Sequence, residues 1–242
     1  MKTVLMMATY NRHELTERML GSLWTSTKHP FKMVIIDNGS TDGTVDILNS
    51  YEWPVETRII FNPENKGIAI ARNQALKAAS DMGAQWYCTI DNDVEMPFGW
   101  LEECIDILTI NRNYGAIGVN MEDKPYPIIE REGKRFQDKP QGNLGTACMV
   151  FPKSIHKMLG FFNTEYGPYG EEDADFGMRI RVAGFRLGYI ERTGTHFGVG
   201  AADEGEYREF KTNCHRNNLK KFNQNVRDYY SRRKALFIKY HE

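Results

Sequence analysis

Along the first half of the chain, short and largely apolar runs alternate with longer stretches whose apolar positions recur every three or four residues. The short runs, 4–8, 33–36, 57–61 and 86–90, read as strands buried on both faces, and the longer stretches as helices crossing over between them. Leu15, Met19, Leu20 and Leu23 mark one such helix, and Ile68, Ala71, Ala75, Ala78 and Ala79 mark the next. A third stripe, Trp100, Leu101, Cys104, Ile105 and Leu108, precedes a further strand at 114–119. Between strand 86–90 and that stripe, the residues from Val94 read as the start of the helix, with Pro97 near its first turn. The alternation predicts an α/β fold: a mixed, mainly parallel sheet with helices on both faces.

The rhythm breaks over 120–143, where Pro, Glu, Lys and Arg obscure both periods. This segment reads as a long loop or mobile hairpin, a place where compact domains often carry function. Order returns with a strand at 146–151, a short helix over 152–159 and another over 172–183, stopped at Gly184. Residues 216–242 then carry eight Lys and Arg against two acids, with Phe222, Tyr229, Tyr230, Phe237 and Tyr240 interleaved. The division expected is one domain over 1–215 followed by a basic, aromatic helical tail over 216–242. Such a tail is either a solvated helix packed on its own domain or a peripheral contact for membrane or nucleic acid.

Composition narrows the classes. A chain of 242 residues, 41% of them apolar, suits one large domain with a sizeable core. Its formal net charge of -1 gives no global pull toward nucleic acid or membrane. Cys88, Cys104, Cys148 and Cys214 lack Cys-x-x-Cys spacing, which argues against a zinc ribbon; they read as reduced thiols, two of them in the core. The apolar run near Met1 is too short for a signal peptide or a membrane span, so a cytoplasmic protein without a transmembrane segment is expected.

Candidate chemistry gathers just after the strands, where open α/β sheets bind ligands. Strand 86–90 runs into Asp91-Asn92-Asp93, and alternation sends Asp91 and Asp93 out on the same side. Two carboxylates there suit a hard divalent cation carrying phosphates, although the same pair also reads as caps for a following helix. Thr9-Tyr10-Asn11-Arg12 follows the first strand. Asp37-Asn38-Gly39-Ser40-Thr41-Asp42-Gly43 follows the second, where Asp37 is placed to accept hydrogen bonds from a ribose or base and Asp42 to cap the next helix. Asn65-Lys66-Gly67 leads into Ala71-Arg72-Asn73, and Gly170-Glu171-Glu172-Asp173-Ala174-Asp175-Phe176 opens the late helix, with His196 beyond it.

In their order and spacing these clusters resemble the family 2 inverting glycosyltransferases of the GT-A (Rossmann-like) fold, and the likeness runs from about Thr3 to His196. The resemblance implies a nucleotide-sugar donor, UDP-sugar first among them, and a divalent metal, Mn2+ or Mg2+. It also implies transfer to an acceptor hydroxyl with inversion at the anomeric carbon. Carried over residue by residue, it puts Asp37, Thr9, Asn11, Arg72 and Asp91 on the nucleotide side. It makes Asp93, with Asp91 and His196, the metal ligands. Asp173 becomes the general base, favoured by the downstream Asp175, Phe176 and Arg179, with Glu172 as the neighbouring candidate. The acceptor, whether glycan, lipid, protein or nucleic acid, is not legible.

Plainer readings stand beside these. Glu172 and Asp173 also suit ordinary acids stabilised by a helix N-terminus. His196 reads equally as a surface or core histidine, and Trp100 as core rather than a cleft wall. Three rival functions follow from the same residues: a nucleotide-sugar binding module without turnover, a nucleotidyltransferase, and a glycosyltransferase acting on nucleic acid. A glycine-rich, basic triphosphate loop is missing near the amino terminus, which counts against the second, and salt-sensitive binding to duplex DNA would support the third.

Overall fold

The computed structural model describes residues 2–122, 124–198 and 206–241. Its centre is a nine-stranded sheet in the order β3-β2-β1-β4-β9-β6-β10-β8-β7. The strands are β1 (Thr3–Thr9), β2 (Lys32–Asp37), β3 (Thr57–Phe61), β4 (Trp86–Ile90), β6 (Tyr114–Asn120), β7 (Ile128–Arg131), β8 (Lys134–Lys139), β9 (Cys148–Pro152) and β10 (Arg186–Thr193). A second, two-stranded sheet pairs β5 (Val94–Glu95) with β11 (Thr195–His196).

Strands β1 to β4 are parallel neighbours, and β10 is parallel to β6. Strand β9 is antiparallel to both β4 and β6, so β6 and β10 share the direction of the first four. The expected mixed, mainly parallel sheet is the one observed. The chain builds outward from β1 to β2 and β3, then returns to place β4 on the other side of β1. That reversal opens a crevice at the carboxyl ends of β1 and β4, the position where such sheets bind ligands.

Alternating strand residues feed two cores, one on each face. Leu5, Met7, Met33 and Ile35 meet α1 (His13–Ser26) and α4 (Trp100–Ile110) through Met19, Leu20, Leu23 and Leu101. Val4, Met6, Val34 and Ile36 meet α3 (Ile68–Asp81), α5 (Lys153–Leu159) and α6 (Glu172–Val182). The alanines of α3 are buried, and their small side chains let that helix lie close to the sheet. Trp100 is fully buried, its Nε1 donating to Thr27 Oγ1 at 2.9 Å, so it belongs to the core and not to a cleft wall. All four cysteines are thiols, and three of them, Cys88, Cys104 and Cys148, are buried.

Local structure refines the sequence reading in several segments. Val94 and Glu95 extend as β5 rather than starting a helix, and α4 begins at Trp100 behind Gly99, whose φ of 72° is left-handed. Pairing with β11, about a hundred residues downstream, overrides the local preference. Within 120–143 the hairpin of the two alternatives is what forms: β7 and β8 pair and extend the sheet beyond β10. Its turn, Glu132-Gly133, takes φ values of 50° and 72°, the doubly positive geometry that matches strand twist. Helix α2 (Thr44–Ser50) and strand β10 are further elements that the apolar pattern had not marked.

Helix α7 (Glu206–Tyr230) runs through residue 216 without a break. It packs through buried Asn218, Asn225 and Tyr229, and Gly160 bridges Ile238 beyond its end. Among the described residues no helix is long and apolar enough to cross a membrane.

Candidate active site

At the carboxyl ends of β1 and β4 lies a cleft of about 620 Å3. Its floor is the turn after β4. The middle residue of that turn, Asn92, points inward and donates Nδ2 to Thr9 Oγ1 at 3.0 Å and Thr16 Oγ1 at 2.9 Å. With Asn92 tethered to β1 and α1, Asp91 and Asp93 turn together toward the cleft. Thr9 lines the cleft as well, but its hydroxyl is engaged in this tether.

His196 reaches the same place by strand pairing. Strand β10 ends on the same edge of the sheet as β4, the chain turns at Gly194, and β11 sets His196 opposite Val94. Phe197 N then donates to Asp93 O at 3.0 Å. One ligand atom each from Asp91, Asp93 and His196 lies within 4.8 Å of the others. His196 Nε2 is 3.3 Å from Asp93 Oδ1, and the buried His196 Nδ1 has no hydrogen-bond partner. Two carboxylates and an imidazole with an orphaned nitrogen fit a divalent cation, and the imidazole favours manganese over calcium. Gly198 belongs to this arrangement, since a Cβ there would fall 1.9 Å from Asp93 Oδ2.

Two arginines balance the acids. Arg12 Nη1 is 2.7 Å from Asp93 Oδ2. Arg72 bridges Asp91 Oδ1, at 3.0 Å, and Glu172 Oε1. Burial and the neighbouring Asp91 raise the pKa of Asp93, against the pull of His196 and Arg12. Burial likewise pushes Glu172 up, from 4.5 to about 7, in spite of Arg72. Arg72 itself is raised: burial disfavours its charge, but the surrounding carboxylates outweigh that.

The far wall carries the start of α6. Glu171 sits at a left-handed φ of 69° and makes the turn from which Glu172 and Asp173 emerge. Glu172, only 4% exposed, is locked to Arg72. Asp173 is half-buried on the cleft wall, its Oδ1 accepting from Ala174 N at 2.6 Å.

Thus Thr9, Arg72, Asp91, Asp93, Glu172, Asp173 and His196 all line one cleft. Asn11 and Asp37 stand beside it. Asn11, at a φ of 49°, accepts from Thr41 N at 2.7 Å and so braces the loop after β2. Asp37 is 1% exposed; its Oδ2 accepts from Ser40 N at 3.0 Å, while its buried Oδ1 lacks a partner. Asp42 accepts from Thr44 N at 3.0 Å and serves as a cap.

Several residues were not singled out from sequence. Arg12 lay in a recognised cluster, but nothing in the sequence paired it with Asp93. Asn38 bonds Asn65 and Asn62 in a buried amide ladder that holds the 62–67 loop against β2. Phe210, Lys211 and His215 join the cleft from α7, and only the packing of that helix reveals them.

Residues 4–166 match the family model described as glycosyl transferase family 2. An N-acetylglucosaminyl-diphospho-decaprenol L-rhamnosyltransferase of Mycobacterium tuberculosis is 24% identical over 221 residues, covering 75% of this chain and 71% of the relative. Among solved structures, a mannosyltransferase from Pyrobaculum calidifontis in complex with GDP-Man and Mn2+ superposes with a TM-score of 0.64 at 17% identity, covering 86% of this chain and 59% of that one. The S. aureus TarS fragment 1-349 in complex with UDP gives a TM-score of 0.61 at 19% identity, with coverages of 80% and 59%. This chain therefore spans about three-fifths of those structures, and the likeness establishes a GT-A fold.

Proposed function

The chain belongs to glycosyl transferase family 2, and from that premise we propose that its cleft moves a sugar from a nucleoside diphosphate sugar to an acceptor hydroxyl, with inversion at the anomeric carbon. A UDP-sugar is the donor to test first. The observation that carries this reading is the shared cleft. Asp93, with Asp91 and His196, lines one part of it, and Asp173, far away in the chain, lines another.

In this reading Asp91, Asp93 and His196 hold a divalent cation, Mn2+ or Mg2+. Bound there, it supplies positive charge to the leaving diphosphate. Asp173 accepts the proton of the acceptor hydroxyl as that oxygen bonds to the anomeric carbon. The bond from carbon to phosphate oxygen breaks, and its electron pair leaves with the diphosphate. An alcohol is a poor nucleophile until its proton begins to depart, so a carboxylate on the acceptor side is needed. Glu172, tied to Arg72 and through it to Asp91, is a positioning residue that joins the base-bearing segment to the floor of the cleft. The unpartnered Asp37 Oδ1 supports a hydrogen bond from the nucleoside, with Asn11 acting through the loop it braces.

The Mycobacterium relative acts, by its name, on a sugar carried by a diphospho-lipid. A lipid-linked glycan is accordingly the first acceptor to try.

A thermal-shift screen of nucleotide sugars with and without Mn2+ names the donor, because a ligand that binds only the folded state raises apparent stability. Asp93→Ala is expected to abolish the metal-dependent shift. Asp173→Asn is expected to keep donor binding while turnover falls by roughly 10²–10⁴, the range for a general base. Normal turnover in Asp173→Asn would move the base elsewhere. Donor binding without turnover in the wild type, under every metal, would favour the binding-module alternative.

A further inference from the structure

Helix α7 lies beyond the segment matched by the family model, 4–166, yet it supplies part of the cleft wall. Lys211, His215 and Asn218 follow one another at four- and three-residue spacing and so share a face of the helix. His215 Nδ1 is 2.5 Å from Glu171 Oε1. Asn218, 7% exposed, donates Nδ2 to Tyr166 O at 2.6 Å and to Tyr169 O at 3.1 Å. The two Asn218 hydrogen bonds, with the His215–Glu171 contact, set the position of the helix against 166–171, the segment that leads into Glu172 and Asp173. Lys211, one turn before His215, therefore enters the cleft from anchored backbone. Its ammonium lies 5.2 Å from the centre of the Tyr169 ring, and Tyr169 lines the same cleft.

The departing nucleoside diphosphate gains a negative charge that the sugar diester lacked, so it carries more than one divalent cation cancels. A lysine on the same cleft wall as the Asp91, Asp93 and His196 group is suited to match the remainder, since an ammonium serves phosphate as a compact point charge. Resting on the transfer reading above, we propose that Lys211 is a binding residue for the diphosphate of the nucleotide sugar, a second positive charge supplied by α7. As the bond to the anomeric carbon breaks, the electron pair moves onto the diphosphate oxygen. Lys211 stabilises that charge.

The test is calorimetric titration of UDP, GDP and their monophosphates, in Mn2+, into the full wild-type chain and the variants K211Q and K211R. K211Q is expected to weaken the preferred diphosphate about tenfold or more, the scale of one charge-assisted contact. The monophosphate should change by no more than about twofold on the same scale, and K211R should recover most of the loss. Unaltered diphosphate binding in K211Q, or equal weakening of diphosphate and monophosphate, overturns the assignment and leaves the transfer reading standing. If the wild-type chain binds neither diphosphate, both fall. Thermal melts of the unliganded proteins separate a binding effect from a folding one: a K211Q whose melt matches the wild type but whose diphosphate affinity drops selectively supports the proposal, and a drop that tracks lost stability overturns it.

Discussion

Glu172 and Asp173 are sequence neighbours, but burial gives them different work. Glu172 is enclosed and paired with Arg72, whereas Asp173 shares the cleft wall with Asp93. The sequence placed both at the head of one helix, and only the resemblance, through Asp175, Phe176 and Arg179, favoured Asp173 as the base. Their environments depend on Arg72, a hundred positions away. The raised pKa of Glu172 has a consequence for stability. Between 4.5 and about 7 the folded chain keeps a proton that the unfolded chain has released, so this group's contribution falls as pH rises through that window. Glu172→Gln removes the ionisation. In urea unfolding across that range, the stability of the wild type relative to Glu172→Gln is expected to decline with rising pH. An unchanging difference would assign Glu172 an ordinary carboxyl.

At the level of elements, the metal-type cluster depends on two residues of β-pairing. Asp91 and Asp93 were legible because they end an apolar strand, whereas His196 was named only through the resemblance and had no local pattern of its own. The β5 and β11 ladder brings it in, and two-residue strands leave no periodic trace. The same contact explains why the helix after Asp93 starts later than Pro97 suggested. Gly198 follows His196 in this turn, and its lack of a side chain leaves room for Asp93. Gly198→Ala is expected to abolish the Mn2+-dependent thermal shift with donor. The unliganded melt should drop by only a few degrees, as suits about 1–3 kcal/mol of local overpacking. Retention of the metal-dependent shift would show that the turn has room to spare.

For the whole molecule, the C-terminal region is part of the fold. Arg179 is fully buried: its Nε is 2.7 Å from Asp175 Oδ1, its Nη1 donates to Leu159 O and Leu236 O, and its Nη2 donates to Phe161 O. Asp175 Oδ2 accepts from Tyr166 and from Tyr229 of α7, at 2.8 and 2.9 Å. One buried ion pair thus ties α6, α5 and the chain beyond α7 together beneath the base-bearing turn. Arg179→Met would strand the Asp175 charge, and a loss of about 3–5 kcal/mol in urea unfolding is expected. Tyr229→Phe removes one hydrogen bond to a charged acceptor and should cost about 1.5–3 kcal/mol. Equal, small losses in both variants would mean that the pair is not coupled to α7. Of the two readings of 216–242, a helix packed on its own domain or a peripheral contact, the structure shows the packing. The buried face, Asn218, Asn225 and Tyr229, is polar or aromatic and sparse, so apolar periodicity did not show which residues make the contact.

By itself the sequence determined the buried parallel strands, the main crossover helices, the acidic strand ending at Asp91 and Asp93, and the acidic helix start at Glu172 and Asp173. Each is written in local periodicity or in residues a few positions apart, which backbone geometry translates directly into a shared face. The tertiary structure alone decided that Arg12 meets Asp93, that Arg72 joins Asp91 to Glu172, that His196 arrives by strand pairing, and that α7 walls the cleft. Those partners are brought together by the order of strands in the sheet and by packing between helices, and neither has a fixed spacing along the chain.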